Sequence, residues 1–205
     1  MSEANAPQRR VGVFGGAFDP PHMAHKALAQ AALEQLQLDE LRIVPTGEAW
    51  HKDRGLSPAV HRLEMARLAF AALDRVVVDS RETRRSGPSY TVDTLAELRG
   101  EMPQAKIFLI IGQDQAAALP TWHRWREIAN FATICVAARA GIAGDRGTFD
   151  ALKLGIAPLQ TIELPPMNVS ATDIRQRLAN RQTIVPLVFE PVARYIAHHH
   201  LYQTA

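Results

Sequence analysis

A single cysteine among 205 residues excludes an intramolecular disulfide, and Cys135 alone cannot assemble a cysteine-based zinc site. A chain of this length buries a core without such staples, so one domain over 1–205, in the reducing cytoplasm, is expected. Long apolar runs are missing too. The apolar stretch after Arg9 and Arg10 is broken by Gly12, Gly15, Gly16 and Asp19, which suits neither a signal segment nor a membrane span. Residues 1–9 read as a disordered polar tail. Charge of one sign is not in excess: 23 Lys and Arg face 21 Asp and Glu, and the 19 arginines lie scattered rather than in blocks. The net charge of +2 therefore argues for neither a nucleic-acid nor a membrane partner.

What is there is an alternation of short apolar runs with longer helical stretches. Strands are expected over 11–14, 41–45, 75–79, 106–111, 133–137 and 159–164. Their lack of polar–apolar alternation points to strands covered on both faces. Helical spacing fills 22–36, 58–73 and 90–98. A loop over 139–148 carrying Gly141, Gly144 and Gly147 is followed by helices over 171–180 and 191–199. The run His198, His199, His200 continues the last helical pattern, where imidazoles complement the helix dipole. The expected fold is α/β: a Rossmann-like, doubly wound, mainly parallel sheet of five to six strands. Helices cover both faces, with a small C-terminal helical part over 165–205. Ligands then belong at the carboxyl ends of the strands.

The densest signal is Val11-Gly12-Val13-Phe14-Gly15-Gly16-Ala17-Phe18-Asp19-Pro20-Pro21-His22-Met23-Ala24-His25, a strand entering a glycine turn and then a helix. Gly15 and Gly16 let a ligand approach the backbone, and the helix start offers N–H groups and a positive dipole end. Asp19 before Pro20 reads as the N-cap, with proline at the first helical position. His22 and His25 fall on one helix face, where two imidazoles can donate to phosphoryl oxygens. A zinc pair or plain surface histidines are the other readings of that spacing. Neither G-x-G-x-x-G nor G-x-x-x-x-G-K-[ST] fits these residues.

A second helix start, Val169-Ser170-Ala171-Thr172-Asp173-Ile174-Arg175, places a hydroxyl and a guanidinium one turn apart at a positive helix end. It reads either as a plain cap with a solvated arginine or as an anion site. Together the two helix starts suit a triphosphate better than a monophosphate. Asp114 follows a strand and Gly112, where adenosine binding and helix capping explain it equally well. Trp122 reads as a flat face for a ring or as core packing.

The Gly15–His25 run resembles the G-G-x-F-D-P-x-H-x-G-H motif of the nucleotidyltransferase superfamily, and Val169–Arg175 its partner I-S-[SA]-T-x-I-R. Pro88-Ser89-Tyr90-Thr91-Val92-Asp93-Thr94-Leu95, Ile110-Ile111-Gly112-Gln113-Asp114 and Leu119-Pro120-Thr121-Trp122-His123-Arg124-Trp125 are similar to bacterial nicotinate mononucleotide adenylyltransferases. The resemblance runs from Val11 to about Tyr202. Two departures stand out. Ala24 takes the place of the glycine usual between the histidines. Ala49-Trp50-His51-Lys52 stands for a Pro-Pro-His-Lys-like segment, with Trp50 in place of a proline.

That resemblance implies ATP and nicotinate mononucleotide as substrates, deamido-NAD and pyrophosphate as products, and a role in NAD biosynthesis. It implies catalysis by His22, His25 and Arg175. ATP is expected at Gly15, Gly16, Ala17, Phe18, His22, His25, Asp114, Ser170, Thr172 and Arg175. The mononucleotide is expected at Asp19, His51, Lys52, Tyr90, Thr91, Trp122 and His123. Magnesium is expected to ride mainly on ATP phosphates and water, with no dedicated protein ligands and Asp19 the nearest carboxylate. No nucleic-acid or membrane partner is expected, and a homo-oligomer is left open. The rival readings are an adenylyltransferase for nicotinamide mononucleotide or another phosphate acceptor and, from a different class, a nucleic-acid module built on Arg81, Arg84 and Arg85 near Tyr90.

Overall fold

The computed structural model describes residues 7–48, 55–139 and 159–203. β1 (Arg10–Gly16) leads into α1 (Met23–Gln35), followed by β2 (Glu40–Pro45), α2 (Ala59–Phe70), β3 (Val76–Val78), the short α3 (Arg81–Arg84) and α4 (Thr91–Glu101). A second half follows: β4 (Lys106–Gly112), α5 (Gln113–Ala118), α6 (Ile128–Phe131), β5 (Thr133–Arg139), β6 (Leu159–Leu164), α7 (Ala171–Ala179) and α8 (Glu190–His198).

The strands form one sheet in the order β3-β2-β1-β4-β5-β6, and every neighbouring pair is parallel. The chain winds outward through β2 and β3, then returns to lay β4 on the other side of β1. Val13 lies opposite Arg42 on one side and Leu109 on the other. Strand order reverses at β1 and β4, which opens a crevice beyond their carboxyl ends.

Successive strand residues point to opposite faces, and both faces are covered. Val13, Leu109, Ile111 and Val136 pack with Leu95 and Leu98 of α4 and Ile128 of α6. Phe14, Phe108, Ile110 and Ile43 pack on the other face with Leu28 and Leu33 of α1 and Met65 and Phe70 of α2. Each large side chain buried this way contributes about 1.5–3 kcal/mol of hydrophobic stabilisation. Double coverage is the reason the strands read as unbroken apolar runs. The fit is close at Gly12, where an added Cβ would lie 2.5 Å from Leu38 Cδ1.

Ile174 of α7 and Val192 and Ile196 of α8 belong to the same core as α1 and α2, so the C-terminal helices are built into the sheet's cover. Of the tail expected over 1–9, residues 7–9 are described. Gln8 Nε2 donates to Gln104 O and Arg9 pairs with Glu40 at 2.6 Å, while residues 1–6 lie outside the described residues. The glycine loop expected over 139–148 also falls outside them from residue 140 on. Three short helices, α3, α5 and α6, were not anticipated, because elements of four to six residues carry too little periodicity to read.

Candidate active site

Helix α1 begins close to where its spacing puts it, but its N-cap lies three residues after the expected Asp19. Its N-cap is His22, with extended φ and ψ of −144° and 175°, and not Asp19. Proline disfavours helical geometry in the residue before it, so Pro20 and Pro21 hold the chain extended until His22. The first helical amide is not free for a ligand either, because Met23 N–H donates to Leu187 O. What the helix start presents instead is a pair of imidazoles. The rings of His22 and His25 stack with centroids 3.7 Å apart. His25 Nδ1 accepts from the His22 backbone N–H at 3.1 Å, which leaves the neutral ring's proton on Nε2. Burial lowers the pKa of His22 to about 4, so it enters the site as a neutral donor rather than as a cation.

Both histidines line a cavity of about 350 Å³ at the carboxyl ends of β1 and β4, a volume in the range of small-molecule sites. Gly15, Gly16, Ala17 and Phe18 form one wall. An added Cβ at Gly15 would meet only Val44 O, at 3.9 Å, so its backbone faces open space and a ligand can come close to it.

Asp19 is 1% exposed and takes part in a knot of polar contacts. Its carboxylate accepts from Tyr202 Oη at 2.5 Å and from Ser57 N–H at 3.2 Å. Its carbonyl accepts from Arg175 Nη1 at 2.8 Å. Beneath it, the buried guanidinium of Arg62 donates to the carbonyls of Ala17, Thr46, Gly47 and Ser57. Arg62 thereby ties together the loops that leave β1 and β2. Neither Arg62 nor Tyr202 stands out in the sequence, because a buried arginine and a C-terminal tyrosine carry no local pattern.

The far end of the cavity is aromatic. Tyr90, the residue before α4, stacks on His123 at 4.2 Å and 30°, with Thr91 and Trp122 beside them. Glu82, Thr46 and Gln115 also line the cavity and were given no role from sequence, and Ser89 and Thr94, quoted within the Pro88–Leu95 run, line it too. Thr94 Oγ1 donates to Glu82 at 2.7 Å; burial pushes that carboxyl's pKa up, against the pull of Thr94 and Arg85.

Several expected contacts do not meet the cavity. Ser170 Oγ accepts from Asp173 N–H at 3.1 Å and so caps its own helix. Exposed Thr172 accepts from Arg175 Nη2 at 3.0 Å. Ala171 and Arg175, and neither hydroxyl, line the cavity. Asp114 is exposed on the first turn of α5, where helical geometry turns Gln115 to the cavity in its place. His51, Lys52 and Trp50 lie outside the described residues. Two of the three arginines behind the nucleic-acid reading are paired internally: Arg81 with Asp79 and Glu101, and Arg85 with Glu97.

The cytidylyltransferase-like family matches residues 13–177, from β1 through α7. A probable nicotinate-nucleotide adenylyltransferase of Albidiferax ferrireducens is 62% identical over 96% of this chain and 100% of its own. The corresponding protein of Methylibium petroleiphilum is 47% identical over 96% of this chain and 94% of its own. The chain belongs to the nicotinate-nucleotide adenylyltransferase family. A Plasmodium falciparum nicotinic acid mononucleotide adenylyltransferase complexed with NaAD shares the fold, with a TM-score of 0.77 over 95% of this chain and 98% of that one at 17% identity. In this chain Ala24 sits within α1 and leaves the helix unbroken. Among the described residues no helix is long and apolar enough to cross a membrane.

Proposed function

We propose that this protein transfers the adenylyl group of ATP to nicotinate mononucleotide. A phosphate oxygen of the mononucleotide forms a bond to the α-phosphorus of ATP. The bond from that phosphorus to the bridging oxygen breaks, and its electron pair leaves with pyrophosphate. Deamido-NAD is the other product. The attacking oxygen is already ionised at neutral pH, so no general base is required; the barrier is repulsion between anions and the alignment of the two reactants.

The observation that carries this reading is the stacked His22–His25 pair at one end of the cavity, joined to Arg175 through Asp19, with the Tyr90–His123 stack at the other end. His25 Nε2–H and His22 act as neutral donors to the α-phosphoryl oxygens, and Arg175 supplies the fixed positive charge for the departing pyrophosphate. Gly15, Gly16, Ala17 and Phe18 wall the nucleotide. Trp122 offers a face to the pyridine ring, and the backbone N–H groups around Tyr90, Thr91 and His123 receive its carboxylate. His51 and Lys52 hold the mononucleotide phosphate. Ser170, Thr172 and Asp114 act, at most, from the rim.

Enzymes of this kind typically use a divalent metal, here magnesium. Among the described residues no three His, Cys, Asp or Glu side chains gather into a metal site, and the Asp19 carboxylate is engaged by Tyr202 and Ser57. These residues fit a cation brought in on ATP phosphates and water, with Asp19 as the nearest carboxylate; there it would offset triphosphate charge. The buried Cys135, its pKa pushed by burial to about 12, suits a reducing cytoplasm.

The test is pyrophosphate release with ATP and magnesium, using nicotinate mononucleotide and nicotinamide mononucleotide in parallel. Turnover of the acid at least about tenfold faster is expected. Comparable rates would overturn the substrate assignment, and release with neither would overturn the reading.

A further inference from the structure

We infer that Tyr202 is a positioning residue of the adenylyl-transfer site and acts through Asp19. The inference rests on the proposed function and deepens it by adding a residue outside both motifs.

Tyr202 follows α8 near the end of the chain, yet its hydroxyl donates to Asp19, 183 residues earlier. Its Oη also lies 3.9 Å from Met65 Sδ on α2, so the ring is wedged between that helix and the loop joining β1 to α1. Burial and the adjacent Asp19 carboxylate raise the pKa of the phenol, which keeps its proton in place as the donor. The backbone at both ends of this contact takes the left-handed conformation disfavoured for residues with a Cβ: φ is 48° at Phe18, just before Asp19, and 63° at Tyr202. Such geometry persists where the surroundings over-determine it, and it gathers at functional sites.

The Asp19 carboxylate is engaged by Tyr202 and Ser57. Its value is mechanical. One residue is held on its side-chain oxygens by Tyr202 and Ser57, and its carbonyl in turn holds Nη1 of Arg175. Three residues farther on stands His22. Fixing Asp19 therefore fixes the spacing between the guanidinium and the imidazole pair, which approach one phosphoryl chain from two elements that are not adjacent in sequence. Loss of the Tyr202 hydroxyl removes one of the donors that hold the buried carboxylate and so loosens the orientation of Asp19. Misalignment of this kind reduces the rate of the chemical step more than it weakens ground-state binding.

The experiment compares steady-state kinetics of wild type, Tyr202→Phe, Asp19→Asn and the double variant. Tyr195→Phe is the control, since it removes a hydroxyl at the same α2–α8 packing, bonded to His61 and away from the cavity. Wild-type turnover tests the proposed function itself: a silent wild type overturns that reading and this inference together. With an active wild type, Tyr202→Phe is expected to lower kcat about tenfold or more, leaving KM for both substrates within about threefold. Tyr195→Phe is expected to match wild type, and the double variant to lose no more than Asp19→Asn alone. Unchanged kcat in Tyr202→Phe, an equal loss in Tyr195→Phe, or losses that multiply in the double variant would overturn the inference and leave the function standing. If Asp19→Asn does not fold, the split between kcat and KM in Tyr202→Phe against Tyr195→Phe decides.

Discussion

Helices α1 and α7 begin with sequences that look equally ready for an anion, and they use their first turns in opposite ways. At α7 the hydroxyls of Ser170 and Thr172 find partners within their own turn, the amide of Asp173 and the guanidinium of Arg175. At α1 the N-cap and the third helical residue are imidazoles, and His25 Nδ1 accepts from the His22 backbone N–H. A short hydroxyl is well matched to the orphan amide two or three residues on; an imidazole is longer and flat, and it projects past that amide into the cavity. The same signature of helix start plus polar side chain thus yields a structural cap in one case and an imidazole pair lining the cavity in the other. Arg175, with Ala171, is what α7 contributes to the cavity.

The strongest way to break this contrast is to remove an imidazole from the cavity wall. His25→Ala should lower kcat by about 10²–10³ with little change in Tm, as for loss of a donor aimed at developing charge; a kcat near wild type would take His25 out of the chemistry. Next comes burial of His22. Its folded pKa of about 4 lies below the ordinary value of 6.5, so the unfolded chain binds a proton in that window while the folded one does not. Stability from this group is full above pH 6.5 and falls by about 3 kcal/mol as pH drops to 4. Denaturation curves should therefore show His22→Gln losing less stability than wild type between those limits; parallel losses would mean that His22 is not the buried group responsible. Arg175→Gln should reduce kcat about 10- to 100-fold, because it removes both the charge and the tie to Asp19; a loss confined to KM would assign it to ground-state binding alone. Smallest are the caps. Ser170→Ala should cost about 1 kcal/mol of stability, with kcat within about twofold, and Thr172→Val less than about 0.5 kcal/mol. A tenfold loss of kcat in Ser170→Ala would erase the distinction between the two helix starts.

Elements with a strong period were legible before the structure. All six strands and the five longer helices fall within a few residues of where spacing puts them, because doubly covered strands and helix-length apolar stripes are local signals. The site was legible where its chemistry is also local: the glycine turn, the histidine pair, Arg175, and the Tyr90, Thr91 and Trp122 runs all reach one cavity. Asp19 was misread because D-P usually marks a helix start, and here the second proline postpones it. Of the two readings of Asp114, the structure puts it in the first turn of α5, and one residue on, a turn of about 100°, brings Gln115 to the cavity. Arg62, Glu82 and Tyr202 were not seen at all, since their partners are backbone carbonyls, a buried threonine and an aspartate at the other end of the chain.

That last contact has a bearing on how the protein is made. Synthesis delivers β1, α1 and the histidines first, whereas Arg175 and Tyr202, which secure the loop between them, join Asp19 across 156 and 183 residues. Contacts so distant along a chain form slowly. A nascent chain still short of residue 175 holds the loop before α1 only by nearer contacts such as Arg62 to Ala17 O, and the two long-range ties to Asp19 are added last.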